Sequence, residues 1–329
     1  MTSAKTICVA GATGLVGANL VKAALARGYT VRGTLRDASD TERTGPLFAL
    51  DGGERLQLFS ADMHHPGDFE PAMEGCDAVF IASLIPIYKG PSGKLAREMD
   101  DDQGVEEIVM PTVRGCLNIL KTANARGVKD VVICSSTSST NPKVPVANKN
   151  ETDHWSDAQH QYAQKKYTSA AKTVMEKAAM EYCEENGIRL SIFLPTLMLG
   201  PAVLPEHAKT GFQGMINQIL QGGEPRYKQI PNDSSSMIHV QDLASLFFAA
   251  LEDPSASGRY FGVYDSWPMQ DIFDVLAELM PEAKMPTRLT DDKLPATSFD
   301  FTRRDSLGVS LRDIPTTLKE TVASLKATQ

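Results

Sequence analysis

Near the start of the chain a short apolar run, Thr6 to Ala10, passes directly into Gly11-Ala12-Thr13-Gly14-Leu15-Val16-Gly17 and then into the amphipathic stretch Leu20 to Arg27. Strand, glycine turn and helix in immediate succession constrain the fold more than composition does. Gly28 closes the helix, and Tyr29 to Leu35 reads as a second strand. Glycines three apart let the backbone turn tightly and approach a ligand, while the helix that follows presents its unpaired N–H groups to an anion. The loop is one residue longer than the common fingerprint, but its place between strand and helix is the context a dinucleotide pyrophosphate site demands. Gly11, Thr13, Gly14, Leu15, Val16 and Gly17 are therefore the candidate pyrophosphate contacts.

The second strand ends in Leu35-Arg36-Asp37. An acidic residue at that end bonds the ribose hydroxyls of NAD, whereas an arginine accommodates the 2′-phosphate of NADP. Arg36 is the residue due, with Arg32 on the same strand and Arg43 shortly after. A guanidinium pairs bidentately with phosphate, so NADP(H) is favoured, and Asp37 next door keeps NAD(H) as the second choice.

The alternation continues. Leu56 to Phe59, Ala78 to Ala82, Asp130 to Cys134 and Leu190 to Leu194 read as strands, with helices at Pro71 to Met73, Val109 to Arg126 and Gln164 to Asn186 between them. Short apolar strands separated by helices predict an α/β fold, a doubly wound parallel sheet of Rossmann type. After Pro201 the texture becomes irregular, which predicts a smaller C-terminal substrate lobe. The expected division gives 1–200 and 236–253 to the dinucleotide-binding domain, and 201–235 and 254–329 to the lobe. Ligands in such sheets sit beyond the carboxyl ends of the strands, so the functional candidates are residues just after strands.

Composition excludes several function classes. A net charge of -8 over 329 residues argues against a nucleic-acid partner. No apolar run reaches membrane-span length, and the first residues lack the basic region and cleavage site of a signal peptide. The five cysteines are widely spaced and mostly within apolar stretches, which suits free thiols in a reducing, cytoplasmic setting rather than a disulfide or zinc framework. The expected partner is a small-molecule substrate, and the expected state a monomer or homodimer.

The sequence resembles the extended short-chain dehydrogenase/reductases, part of the NAD-dependent epimerase/dehydratase superfamily, and within them the dihydroflavonol reductase and cinnamoyl-CoA reductase group. The resemblance covers nearly the whole chain. It rests on GATGLVG at 11–17, RGYTVRGTLRD at 27–37, AD at 61–62, AVFIAS at 78–83, PTVRG at 111–115, VVICSS at 131–136, HWSD at 154–157, KTVMEKAAMEYCEENG at 172–187 and LPTLMLGP at 194–201. It implies that Arg36 and Arg43 meet the 2′-phosphate, Asp62 and Met63 lie beside the adenine, and Ala82 and Ser83 form the loop over the ribose. It also puts Pro195, Thr196 and Leu197 at the nicotinamide amide, and Asn141 at a substrate contact. The loop from Ile85 to Gly104 follows the strand carrying Ser83 and is expected to bound the substrate mouth, which makes Ile85 a second candidate contact.

Carbonyl reduction by hydride needs a proton donor at the nascent alkoxide and hydrogen bonds that stabilise its charge. The resemblance implies a serine, a tyrosine acid and a lysine four residues after it that binds the nicotinamide ribose. The serine matches Ser136 and the lysine Lys172. Four residues before Lys172, however, stands Thr168, with Tyr167 one place earlier. A spacing of four puts two side chains about 40° apart on a helix, whereas a spacing of five puts Tyr167 about 140° away from Lys172. Three readings stay open: a local π-bulge that swings Tyr167 into the site, a Tyr162–Lys166 pair, and a site that has Thr168 in place of a phenolic acid. With them stand three functions. The first is an NADP(H)-dependent reductase of a ketone or aldehyde, phenolic or flavonoid-like. The second is a relative that reduces a C=C or imine bond. The third is a non-catalytic dinucleotide-binding sensor or scaffold.

Other residues read as structural. His64 and His65 beside Asp62 belong to a loop surface, adjacent histidines point different ways, and no metal is expected. His239 reads as a packed histidine, and Asp100-Asp101-Asp102 as a solvated charge run.

Overall fold

The computed structural model describes residues 5–82, 84 and 87–327. Seven parallel strands form the main sheet in the spatial order Gly258–Phe261, Arg189–Leu194, Asp130–Cys134, Ala78–Ile81, Thr6–Ala10, Thr30–Leu35, Leu56–Ser60. The direction of winding reverses between Ala78–Ile81 and Thr6–Ala10. That switch opens a crevice beyond their carboxyl ends, where the glycine turn and Ala82 lie.

Alternate residues of each strand feed the two faces. Cys8 and Ala10 pack on the side of the helices Met110–Ala125 and Tyr167–Glu185. Ile7 and Val9 pack on the side of Leu15–Ala26 and Val240–Glu252. Burial on both faces is why these strands are almost continuously apolar. All five cysteines are buried and unpaired.

A three-stranded sheet, Asp265–Pro268, Ser234–His239 and Leu197–Leu199, joins the helices Gly211–Leu220, Met269–Leu279 and Ile314–Ala327 around a separate apolar cluster, the smaller lobe. Strand membership divides the chain differently from the expected boundaries. Gly258–Phe261 completes the main sheet although it lies past 254, and Leu197–Leu199 and Ser234–His239 belong to the lobe's sheet. The strand past 254 is hard to see because Arg259 interrupts its apolar pattern. The arginine is tolerated there because Glu176, wholly buried, pairs with it.

The helix expected over 164–186 starts three residues later, as Tyr167–Glu185; a short helix, Ala158–Ala163, precedes it, and Lys165, with a φ of 56°, lies in the break between them. The π turn is elsewhere, at Val105–Val109. The helix carrying Tyr167 is regular, so the bulge that would have turned Tyr167 toward Lys172 is absent from it.

Candidate active site

The site is built on three turns that leave parallel strands. After Thr6–Ala10, Gly11 takes a φ of 84°, its N–H and that of Ala12 donate to Thr34 O (3.1 and 2.8 Å), and Gly14 N–H donates back to Gly11 O (3.1 Å). The helix Leu15–Ala26 then begins, with Ala18 N–H to Gly14 O at 2.8 Å. The N–H groups ahead of Ala18 lack helical acceptors and carry the positive end of the helix dipole. Gly17 is dictated by packing, since a Cβ there would lie 2.0 Å from Gly11 O.

Beside this turn lies a cavity of about 330 Å³, lined among others by Gly11, Thr13, Gly14, Arg36, Asp62, Met63 and Ala82. Arg36 is exposed and makes no hydrogen bond or ion pair with the described residues. The carboxylate of its neighbour Asp37 is turned onto Ser39, accepting from its N–H (2.9 Å) and hydroxyl (2.6 Å), which holds the carboxyl below the usual carboxylate range. Arg32 is engaged at the sheet edge, donating to Pro71 O and Glu74 O. Asp62 accepts from His64 N–H (2.9 Å), and Met63 fits against helix Met110–Ala125 because position 115 is glycine: a Cβ there would be 2.8 Å from the Met63 sulfur. No group of three or more His, Cys, Asp or Glu among the described residues is placed to hold a metal.

A second cavity of about 650 Å³ adjoins the first at Thr13, Gly14, Arg43 and Ala82. Leu15, Val16, Ser136, Thr168, Lys172, Pro195 and Thr196 face it. Ser136 opens the serine turn after Asp130–Cys134, its hydroxyl oxygen accepting from Ser138 N–H at 3.2 Å. Thr137 and Thr196 share a hydroxyl–hydroxyl bond of 2.5 Å that ties this turn to the one after Arg189–Leu194. Lys172 is only 5% exposed and donates to Leu84 O; burial pulls its pKa below the usual lysine value. Thr168 donates its hydroxyl proton to Ile87 O at 2.8 Å.

Two contacts cross from the lobe to the glycine turn. Arg43 pairs with Glu206 at 2.8 Å, so this arginine borders both cavities rather than the first alone. His207 accepts at Nδ1 from Leu204 N–H (3.3 Å), which leaves Nε2 to donate to Thr13 O (3.0 Å).

Several expected contacts lie elsewhere. Tyr167 is fully buried; its ring fills the space left by Gly104 and its hydroxyl donates to Asp101 at 2.6 Å, facing away from the cleft. Asp100, Asp101 and Asp102 are all exposed, as a solvated charge run requires, although Asp101 also accepts this bond. Tyr162 is buried beside Tyr167, with ring centroids 6.2 Å apart, which leaves the Tyr162–Lys166 pairing outside the cleft as well. Asn141 is turned outward, where Lys149 donates to its side-chain oxygen. Leu197 pairs with Met237 in the lobe's sheet and packs into the lobe. Ser83 and Ile85 lie outside the described residues.

What the sequence reading missed stands directly behind Ser136. Glu176, one helical turn from Lys172, accepts from Ser135 and from Arg259 Nε at 2.9 Å. Arg259 also donates to Ser139 Oγ (2.9 Å) and Glu151 O (2.6 Å), and its guanidinium lies 3.5 Å from the centre of the Trp155 ring. Burial raises the Glu176 pKa, and the guanidinium opposes that shift. The signals were present, an arginine within an apolar strand and a glutamate four residues after Lys172, but nothing in their spacing joins residues so far apart in sequence.

Comparison with known proteins places this arrangement. The model of the NAD dependent epimerase/dehydratase family matches residues 7–263. A cinnamoyl-CoA reductase of Medicago truncatula is 32% identical over 328 residues, covering 97% of this chain and 95% of that one. A dihydroflavonol 4-reductase of Callistephus chinensis is 31% identical, covering 98% and 87%. Among solved structures, vestitone reductase from alfalfa (Medicago sativa L.) superposes with a TM-score of 0.78 at 24% identity over 98% of each chain. A yeast methylglyoxal/isovaleraldehyde reductase complexed with NADPH gives 0.80 at 20% identity over 98% of each. Likeness at that identity speaks for the fold.

Proposed function

The chain belongs to the NAD dependent epimerase/dehydratase family, and from that premise we propose that it is an NADP(H)-dependent reductase of a ketone or aldehyde on a phenolic or flavonoid-like molecule. The observation that carries the reading is a cleft made of two adjoining cavities that share Thr13, Gly14, Arg43 and Ala82. It runs from the uncommitted cation of Arg36, past the glycine turn, to Ser136 and Lys172. The substrate class follows the relatives, whose names are those of reductases of such molecules.

The cleft fits the dinucleotide. The glycine turn and helix N-terminus offer backbone donors to a pyrophosphate. Arg36 stands where a 2′-phosphate needs a guanidinium, and Asp37 is occupied by Ser39 rather than available to ribose hydroxyls. Asp62, Met63 and Ala82 border the adenosine end, while Pro195 and Thr196 border the nicotinamide end. Bound NADPH supplies the hydride. Lys172 holds the ribose, and Ser136, whose oxygen already accepts one bond, directs its own proton at the substrate oxygen and stabilises charge developing there. Thr168 stands where the family's phenol would be. Its proton is committed to Ile87 O, and a threonine hydroxyl titrates too high to act as the acid. That feature favours, as a second reading, reduction of a C=C or imine bond, where proton demands differ. The unpaired thiols suit a reducing, cytoplasmic setting.

The test is titration of the purified protein with NADPH and NADH by nucleotide fluorescence, followed by NADPH oxidation with aromatic aldehydes, ketones, enones and imines. Arg36→Ala is expected to weaken NADPH roughly 10- to 100-fold, the worth of a charged hydrogen bond, and to leave NADH unchanged. Equal affinity of the wild type for both nucleotides overturns the phosphate assignment. Turnover of enones or imines alone selects the second reading, and tight NADPH binding without any turnover selects a sensor.

A further inference from the structure

We propose that Tyr88, on the loop after the strand Ala78–Ile81, is the proton donor to the substrate oxygen, replacing the phenol that helix Tyr167–Glu185 does not present to the cleft. The inference rests on the carbonyl-reductase reading.

Among the described residues Tyr88 is the one tyrosine that lines the cleft, together with Ser136, Thr168 and Lys172. Its side chain is 68% exposed, and its hydroxyl makes no hydrogen bond with the described residues. A phenol standing in a cleft without a partner is free to serve a ligand.

The loop is fastened at the points that matter for Tyr88. Lys172 donates to Leu84 O, and Thr168 donates to Ile87 O, the carbonyl directly before Tyr88. Beyond Tyr88, Lys89 bridges Leu95, and Ser92 donates through its N–H (3.0 Å) and hydroxyl (2.7 Å) to Glu107. Threonine at 168 thus does two things at once. It takes a phenol off the helix, and it ties down the loop that carries another.

The other titratable groups lining the cleft are engaged or unsuited. Arg43 and Glu206 pair with each other at 2.8 Å. Both ring nitrogens of His207 are committed, to Leu204 and Thr13. Cys134 is buried, and burial pushes its thiol up to about 11. Lys172 lines the cleft but is 5% exposed, donates to Leu84 O and is the group assigned to the ribose.

The step balances as follows. The carbonyl carbon takes a hydride from NADPH, and the π electron pair moves to oxygen. That oxygen then takes the phenolic proton of Tyr88, giving the alcohol and a phenolate. Solvent reprotonates the phenolate, which the exposure of the side chain allows. Ser136 donates a hydrogen bond to the same oxygen throughout.

The experiment compares wild type, Tyr88→Phe and Tyr88→His on the aldehydes and ketones that the wild type turns over. Tyr88→Phe is expected to lower kcat by about 100-fold or more, the scale of a lost general acid, and to leave the NADPH Kd within about twofold. The tyrosinate absorbance titration of the NADP+ complex is expected to lose one group. Tyr88→His is expected to restore part of kcat, with the alkaline limb of the pH profile moved to lower pH. A kcat for Tyr88→Phe within about threefold of wild type overturns the assignment, because no general acid would then have been removed. So does a fall in kcat matched by lost NADPH affinity, which would mark Tyr88 as a support of the loop. If the wild type turns over no carbonyl, the reductase reading fails and the role of Tyr88 with it; turnover surviving Tyr88→Phe removes only Tyr88.

Discussion

The glycine turn after Thr6–Ala10 and the serine turn after Asp130–Cys134 occupy equivalent places, each just beyond the carboxyl end of a parallel strand, yet they differ in how far buried side chains brace them. Backbone holds the first: Gly11, Ala12 and Gly14 donate to main-chain oxygens, and Gly17 leaves no room for a side chain. The second has backbone bonds too, such as Ser135 N–H to Phe193 O (2.8 Å) and Thr137 N–H to Pro195 O (3.1 Å), but buried side chains brace it as well. Ser135 leans on Glu176, Ser139 takes a bond from Arg259, and Ser156 donates to Ser138 O at 2.7 Å. A turn made of backbone binds an anion with few sequence-specific side chains but tolerates no added atoms. A turn braced by side chains can aim a hydroxyl, and it fails when an atom is lost.

The widest separation between the two turns is expected from Arg259→Ala. The Arg259–Glu176 pair has side-chain exposures of 3% and 0%. Removing one partner leaves a buried charge uncompensated, which costs about 3–5 kcal/mol. Urea unfolding should record that loss together with lower turnover, since the wall behind Ser136 is released. An apolar double replacement, Arg259→Met with Glu176→Leu, should lose less stability than Arg259→Ala alone, because no unpaired charge remains. A loss under about 1 kcal/mol for Arg259→Ala would mean that solvent reaches Glu176 and that the serine turn is not braced as described.

At the glycine turn the sign of the change is reversed. Gly17→Ala adds one methyl group at 2.0 Å from Gly11 O, where the neighbour is backbone and cannot rotate away. Overpacking of this kind costs about 1–3 kcal/mol, and it displaces the turn that would hold the pyrophosphate. NADPH titration should show weakened binding for Gly17→Ala, whereas Ser136→Ala at the other turn keeps binding and loses turnover. Unchanged NADPH affinity in Gly17→Ala would erase the distinction between the two turns.

The same contrast explains what the sequence disclosed. The glycine turn and the alternation of strand and helix depend on local pattern, so they are legible from spacing alone. Gly11, Gly14 and Gly17 need no knowledge of distant residues. The brace behind Ser136 joins 135, 139, 176 and 259, and no period or motif links those positions before the chain is folded. Arg259 also concealed its own strand, because a charge inside an apolar run reads as the end of burial. Tyr88 was invisible for a related reason. Loop residues carry no periodicity, and the feature that brings it into view, the bond from Thr168 to Ile87 O, is tertiary.

The smallest effect is expected from Tyr167→Phe, and it tests which face of the helix serves the cleft. Tyr167 and Thr168 are neighbours in sequence but point about 100° apart on a regular helix. Thr168 borders the cleft, while Tyr167 sinks against Gly104 and donates to Asp101. The phenylalanine ring keeps the packing, so the change removes one hydrogen bond, worth about 1 kcal/mol. Thermal unfolding should show a slightly lower Tm, and kcat should stay within about twofold, because a side chain facing away from the cleft does not touch the reacting atoms. A loss as large as that expected for Tyr88→Phe would return the acid to the helix and require Tyr167 to leave the core during turnover. Retained activity in Tyr167→Phe, beside lost activity in Tyr88→Phe, would place the proton donor on the loop and leave the helix to supply Lys172 alone.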